Sequence, residues 1–363
     1  MEKKKVRSSF VLKPFFISLF VILFSIALGS ILISCSSSSS GSSSTSSSTN
    51  LLNGNLSIRT YNVGKGPSGI AIDAKGDVWV ANTLTDTVCE IITSTGTTIT
   101  YPVGNNPKGL AIDQSGDVWI ANTNDSYVSK INPVSGKVTN YPVSDNGSSN
   151  PQIYAIAVDK NTNIWGLDGN NGILFELNST GNLITYKTKY SQPSILSLDA
   201  NGDAWIAYSF SNTGTNALTE VNLTNGNTIT SYTINPHPYG LAIDQKGNIW
   251  TRSQSSVSEI NPNTGLVISY TVWAGTGNIA IDAQGNVWVP NLSKLTEINP
   301  TTGSVIRSSS NIGESIDGIA IDKSGDIWLA DGAANTVIEV INIAKGPQYF
   351  PYQGPQWPTD GLF

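Results

Sequence analysis

The chain has 363 residues, of which only 13% are charged, and its single histidine and two cysteines exclude both a zinc site built from His and Cys alone and any disulfide framework. The first 34 residues hold five of the 20 basic residues and one of the 26 acids, leaving 15 basic against 25 acidic residues, a net −10. A surface that acidic repels phosphate backbones, so nucleic acid is not an expected partner.

The N-terminus reads as an address. Residues 2–13 carry Lys3, Lys4, Lys5, Arg7 and Lys13, and FFISLFVILFSIAL follows over 15–28 as one apolar run. A basic region, an apolar region and small residues near a cut site describe a signal peptide over 1–34. Leu32-Ile33-Ser34-Cys35 resembles a bacterial lipobox, which implies that Cys35 is diacylated and becomes the mature N-terminus. An uncleaved membrane helix over 15–34 is the alternative, since that stretch is just long enough to span. The positive flank stays inside in either case, which places the remainder outside the cytoplasm. After Cys35, SSSSSGSSSTSSSTN completes a tether over 35–50 that buries nothing and reaches about 20 Å as a flexible coil. The expected location is the cell envelope, held to the membrane through lipidated Cys35. Ser36, a residue other than Asp, resembles the Gram-negative sorting rule for the outer membrane.

From residue 51 the chain repeats. Trp79, Trp119, Trp165, Trp205, Trp250, Trp288 and Trp328 are spaced by 40, 46, 40, 45, 38 and 40 residues. Each follows an apolar stretch and an aspartate, as in GIAIDAKGDVW and GLAIDQKGNIW. One unit reads as four strands: A over Gly69–Asp73, B over Val78–Asn82, C over Val88–Ile91 and D over Thr97–Val103. The Asp-x-x-Gly run between A and B is hairpin chemistry, in which Asp bonds its own backbone and Gly supplies positive φ. Strands A and B are apolar at nearly every position, as strands sandwiched between neighbouring blades must be. Four strands every 40 or so residues are the mark of a β-propeller.

The seventh unit runs through TVIEVI at 336–341 and then loses the pattern, whereas SIRTYNVGKGPSGIAI ahead of the first unit matches a strand D leading into a strand A. The expected fold is therefore an all-β, seven-bladed propeller over 51–341, closed by an N-terminal strand that removes an open sheet edge. Residues 342–363, rich in Pro and aromatics, form a tail outside the repeat.

The loops D–A and B–C open on one side of such a ring. That side collects Lys108, Tyr154, Tyr239 and Asp317 ahead of strand A, and Asn82, Asn122, Asp168, Asn291 and Asp331 at the end of strand B. The longer tryptophan spacings fall there too, at Ser144–Asn150 and Ser209–Asn216. Repeat proteins place insertions on the binding face, so this rim is the candidate ligand site. The Asp-x-x-Gly-Asp/Asn runs lack the carboxylate density and closing glutamate of a calcium loop and read as turns. The tryptophans read as packing between blades, and Cys89 as a small buried hydrophobe.

The unit P-x-G-I-A-I-D-x-x-G-x-V-W-V-A-N resembles the repeat of the streptogramin B lyase (virginiamycin B lyase) family and its NHL-like relatives, over residues 56–341. That resemblance implies a metal-assisted carbon–oxygen lyase using histidines directly before the Gly of strand A and a glutamate near the end of strand B. Here the first position holds Ser68, Lys108, Tyr154, Ser194, Tyr239, Gly277 and Asp317, and the second holds Asn82, Asn122, Asp168, Tyr208, Ser253, Asn291 and Asp331. Neither set contains His or Glu. His237 lies two places before Tyr239 with no second histidine to work with, a poor substitute for a poised general base. Gluconolactonase-like propellers offer another comparison: they hold a divalent cation at the channel mouth with Glu, Asn and Asp oxygens, and Mg²⁺ or Ca²⁺ would suit the Asn/Asp rim here.

Two readings follow. The preferred one is a non-enzymatic surface propeller with a monomeric head and no cofactor, binding a protein, peptide or glycan at the rim. The alternative is a metal-dependent lyase or lactone hydrolase acting at the channel mouth.

Overall fold

The computed structural model describes residues 56–143, 150–178, 180–208, 217–272, 275, 277–309 and 311–344. The signal segment, Cys35, the tether, the insertions at 144–149 and 209–216 and the tail beyond Ala344 lie outside the described residues.

The described residues form seven four-stranded sheets, each antiparallel and each in the order A-B-C-D. Blade one comprises Pro67–Ile72, Val78–Asn82, Thr87–Ile92 and Thr97–Pro102, within two residues of the boundaries expected from sequence. Blade seven takes strands A to C from Ile316–Ile321, Ile327–Asp331 and Thr336–Val340, and its fourth strand is Ile58–Asn62. Ile58 faces Val340 and Asn62 faces Thr336, the closure that the sequence predicts. Arg59 and the Tyr61 hydroxyl both reach the Glu339 carboxylate, at 3.1 and 2.7 Å, and so fasten the joint.

The core lies between blades. Trp79 of blade one packs with Leu110, Val118 and Ile120 of blade two, and Trp328 of blade seven with Ile70, Val78 and Val80 of blade one. Every residue of strand B is buried in blades one, two, three and seven, which is why those strands carry no alternation.

One aspartate per blade joins turn to core. Asp73 accepts the amides of Lys75 and Asp77 through Oδ1, at 2.9 and 3.0 Å, and the Trp79 indole N–H through Oδ2, at 3.3 Å. The same indole bond recurs from Trp119, Trp165, Trp205, Trp250, Trp288 and Trp328 at 2.9–3.2 Å. A buried indole N–H left unpaired would cost about 1–3 kcal/mol. The turn that this aspartate caps needs a left-handed residue three places on. Gly76 and Gly116 supply it with φ of 90° and 82°, whereas blade three uses Thr162 at φ 64°.

A β-branched residue in that region is strained. Thr162→Gly is therefore expected to raise the denaturant midpoint, by up to about 1 kcal/mol after the entropy cost of glycine. Gly116→Thr, the reverse change in blade two, is expected to lower it. Equal midpoints for the two variants would contradict the strain.

Candidate functional site at the channel mouth

The D–A and B–C loops meet at one end of the ring. The amides of Thr83, Thr123, Gly169 and Gly332, all after strand B, donate to the carbonyls of Gly66, Asn106, Gln152 and Ser315, all before strand A, at 2.8–3.0 Å. The side chains at the end of strand B clasp the same junction. Asn122 Oδ1 accepts the Gly104 amide at 3.2 Å, and Asp168 Oδ1 accepts the Gln152 amide at 3.0 Å. Asp331 accepts the amides of Glu314, Ser315 and Ala334 at 2.7, 3.0 and 3.2 Å. The Asn82 amide donates to Thr87 Oγ1 and to the buried Cys89 sulfur. Asn122, Asp168 and Asp331 are thus committed to holding the loops in place, whereas Asn82 bonds strand C of its own blade.

The position ahead of each strand-A glycine is built differently. In blades one, two, three, four and seven the A–B ladder slips by one residue there, across Ser68, Lys108, Tyr154, Ser194 and Asp317. A bulge leaves its extra residue out of the ladder and re-aims the side chain. The same residues line the innermost contact of the ring: a Cβ on Gly69 would lie 1.9 Å from the Lys108 carbonyl, and one on Gly318 would lie 2.1 Å from the Ser68 carbonyl. Glycine lets the strands of adjacent blades touch through their backbones, and the bulged residues are set around the channel at that level.

Lys108, Tyr154, Tyr239, Asp317 and Asn291 are half-buried. The Lys108 ammonium stands 5.3 Å from the centre of the Tyr154 ring, whose hydroxyl donates to Gln152 Oε1 at 2.6 Å. The Tyr239 amide donates to the Arg252 carbonyl at 2.8 Å. Arg252 is fully buried, and its Nη1 donates to the Asn278 carbonyl at 3.2 Å, while the Asn278 amide donates to the Asp317 carbonyl at 3.0 Å. Burial lifts the Asp317 carboxyl to about 6, with Asp331 pushing it further up and Arg252 and Lys108 pulling it down. Burial also depresses Lys108 and lowers Arg252 to about 9, each partly offset by Asp317. Tyr154 is raised by burial and by Asp168.

Of the residues expected at the rim, the structure gathers Lys108, Tyr154 and Asp317 into one electrostatic group and adds Arg252. Strand B of blade five ends at Arg252, one residue before the expected Ser253, whose amide instead donates to the Ser256 carbonyl. The signal for Arg252 was present in the repeat, since the equivalent residues are Ala81, Ala121, Leu167, Ala207, Pro290 and Ala330. His237 is exposed, with φ of 55°, in the loop before strand A of blade five.

The family resemblance implies a divalent cation at this mouth, and the residues do not fit one. The oxygens of Asp168 and Asp331 are engaged by backbone amides, and two cationic side chains act on Asp317. Carboxylates gather instead on the opposite face, as Asp73, Asp77 and Glu90 in blade one and Asp199, Asp203 and Glu220 in blade four, with oxygens within 4.8 Å of one another. In blades five and six an asparagine amide, from Asn248 or Asn286, donates to both carboxylates. In blade two Lys130 replaces the glutamate and pairs with Asp117 at 2.6 Å. A groove of about 400 Å³ on that same face, bounded by Asp159, Glu176, Tyr186 and Asp199, separates blades three and four.

A seven-bladed propeller with one variable, bulge-lined mouth is the class that this geometry defines. Residues 52–261 match the virginiamycin B lyase family, and the chain belongs to that family. Among solved structures it is similar to streptogramin B lyase, at 18% identity and a TM-score of 0.68 over 78% of this chain and 97% of that one. Virginiamycin B lyase from Staphylococcus aureus gives 18% identity and a TM-score of 0.69 over 79% and 99%. A catalytically inactive form of that lyase with quinupristin gives 17% and 0.68 over the same shares. Kuenenia stuttgartiensis hydrazine synthase gives 11% and 0.69 over 78% and 97%. At these identities the likeness is one of fold. No curated protein sequence matches the chain.

Asp317 is protonated more readily when folded than when unfolded, where its value is 3.8. Its ionised form therefore weighs against folding above about pH 6, and that penalty fades as pH falls towards 4. The stability difference between Asp317→Asn and the parent is expected to move in favour of the variant as pH rises from 4 to 7, read from denaturant midpoints. A difference independent of pH would contradict the burial of Asp317.

Proposed function

We propose that the chain is a ligand-binding propeller anchored at the cell envelope, working through its channel mouth without the cleavage chemistry of the lyases. The make-up of the mouth carries this reading. The positions at which the family resemblance implies histidine hold Ser68, Lys108, Tyr154, Ser194, Tyr239, Gly277 and Asp317, and those at which it implies glutamate hold none. Acid–base chemistry on an ester needs a group poised near neutral pH and set against the reacting bond. His237, exposed and offset, supports that poorly. Clasped loops around a half-buried rim of Lys, Tyr and Asp suit recognition of a protein, peptide or glycan. Ile58 lies at the end of the ring away from the mouth, paired with Val340 beside the A–B turn of blade seven. A second reading, a lyase or hydrolase at the same mouth, draws on Asp317, whose carboxyl is lifted to about 6 and could serve as a base.

The full chain in detergent is expected to leave a streptogramin B substrate intact over many hours. Turnover that disappears in His237→Ala or Asp317→Asn would replace the first reading with the second. In a pull-down or glycan array, Tyr154→Ala/Tyr239→Ala is expected to abolish the captured signal and Lys75→Ala/Lys246→Ala, on the opposite turns, to preserve it. The reverse pattern would place binding on the other face.

Anchoring rests on Cys35. Cys35→Ala is expected to accumulate precursor of full length in the membrane fraction, whereas processing and retention like the parent's would remove the lipoprotein reading.

A further inference from the structure

Across the ladder from the strand-B tryptophan, blade two places Lys130 and every other blade places a glutamate. Most of these glutamates are answered within their blade. Glu90 accepts from the Tyr101 hydroxyl at 2.8 Å and Glu259 from the Asn248 amide at 2.9 Å. Arg59 and Arg307, each facing its glutamate from strand D, pair with Glu339 and Glu297. Lys130 pairs with Asp117 at 2.6 Å and stands 5.0 Å from the centre of the Trp119 ring. The chain thus sets its own ammonium or guanidinium against this acidic row in blades two, six and seven. Blade three supplies none. Ile184 faces Glu176 from strand D, and Asn163 donates to Asp159 at 3.0 Å. Among the described residues nothing hydrogen-bonds the half-buried Glu176. The groove of about 400 Å³ between blades three and four opens at this point, with Trp165, Glu176, Asp159 and Asp199 in its wall. Tyr186 beside them is fixed by stacking on Trp165 at 6.0 Å and by Gly226 of blade four, where a Cβ would lie 2.0 Å from its ring.

We propose that this groove binds a primary ammonium or guanidinium group on a small apolar stem, at a second site independent of the channel mouth. Glu176 accepts the direct hydrogen bonds, which are the strong, charge-assisted kind. Asp159 and Asp199 contribute their field, since their oxygens are already taken by turn amides and indole N–H groups. Trp165 gives the cation an aromatic face. Blade two shows that one indole serves both a cation and a tyrosine, because Lys130 and Tyr141 share Trp119. Val158, Leu198 and Leu223 line the groove for the stem. Lys160, the single cationic residue of the lining, is exposed, so the wall stays negative. A bare Ca²⁺ or Mg²⁺ wants six or more oxygens, and the groove offers it one uncommitted carboxylate. Burial and Asp159 raise the Glu176 carboxyl, and a bound cation would bring it back down.

The test titrates the full chain in detergent, by calorimetry at neutral pH and low salt, with three probes of one stem: benzylamine, benzylguanidine and benzyl alcohol. One of the two cations is expected to bind once per chain, about tenfold or more tighter than the alcohol, and the tighter one identifies the group. Glu176→Gln is expected to weaken that probe about tenfold. Glu220→Gln, on the same face but outside the groove, is expected to leave it unchanged. Glu176→Lys, which copies blade two, is expected to abolish binding by filling the site with the chain's own ammonium. The denaturant midpoint of Glu176→Gln is expected to be no lower than the parent's, so that lost binding is not lost fold. A lower midpoint would mean that Glu176 already has a partner, and would overturn the proposal. Benzyl alcohol binding as tightly as the cations, or Glu176→Gln without effect on them, would overturn it too. So would thermal stabilisation by CaCl₂ with none by either organic cation.

Discussion

Everything in this fold hangs on a carboxylate that serves two masters at once. The aspartate between strands A and B caps its turn through one oxygen and takes a buried indole N–H through the other. Local turn chemistry and inter-blade packing are thereby made the same event, repeated in every blade. Directly across the ladder from each tryptophan stands a strand-C residue, Glu90 opposite Trp79 and Glu339 opposite Trp328. A tyrosine of strand D stacks on the indole and bonds that glutamate, as Tyr101 does with Trp79 and Glu90. Where the pattern changes, charge is rebalanced within the blade. Lys130 takes the glutamate's place in blade two and lies over Trp119, and Arg307 takes the tyrosine's place in blade six, over Trp288 and paired with Glu297. Among the described residues blade one shows no such ion pair, and its Glu90 carboxyl is raised by burial and by Asp77 and Asp73 against the Tyr101 hydrogen bond and Lys75.

Because this machinery occupies the A–B end of each blade, the other end is released from it. The mouth needs only a clasp at the end of strand B and a bulge at the start of strand A. The clasp accepts Asn or Asp, and the bulge residue bears no ladder position and accepts anything from Ser68 to Tyr154. This division explains how one scaffold carries the family's propeller while its mouth exchanges one chemistry for another.

The architecture was legible because its signals are local and repeated. Tryptophan spacing set the blade count, and SIRTYNV matched strand D well enough to place the closing strand. The site was only half legible. Loop order puts Lys108, Tyr154 and Asp317 on one rim, but the use of Asn122, Asp168 and Asp331 as loop clasps depends on amides brought from 16 to 18 residues away, as between Gln152 and Asp168. Arg252 was missed for a different reason. The residue expected to end each strand B is polar or aromatic in every blade, whereas the anomaly sits one place earlier, where Arg252 stands in a column otherwise of Ala, Leu and Pro. The indole bond was missed as well, since a turn aspartate accounts for itself without it.

The closing strand is also the first strand, and that has a mechanical side. A pull on the N-terminus does not load a blade in the middle of the ring; it peels Ile58–Asn62 from its partner one pair at a time, beginning at Val340. The second pair to part is Arg59 with Glu339, and the Tyr61 hydroxyl holds the same carboxylate two pairs on. Glu339 thus acts as a latch. Tension that fails to break it stays on blade seven, and tension that breaks it undoes the ring at its seam while the other six sheets keep all four strands.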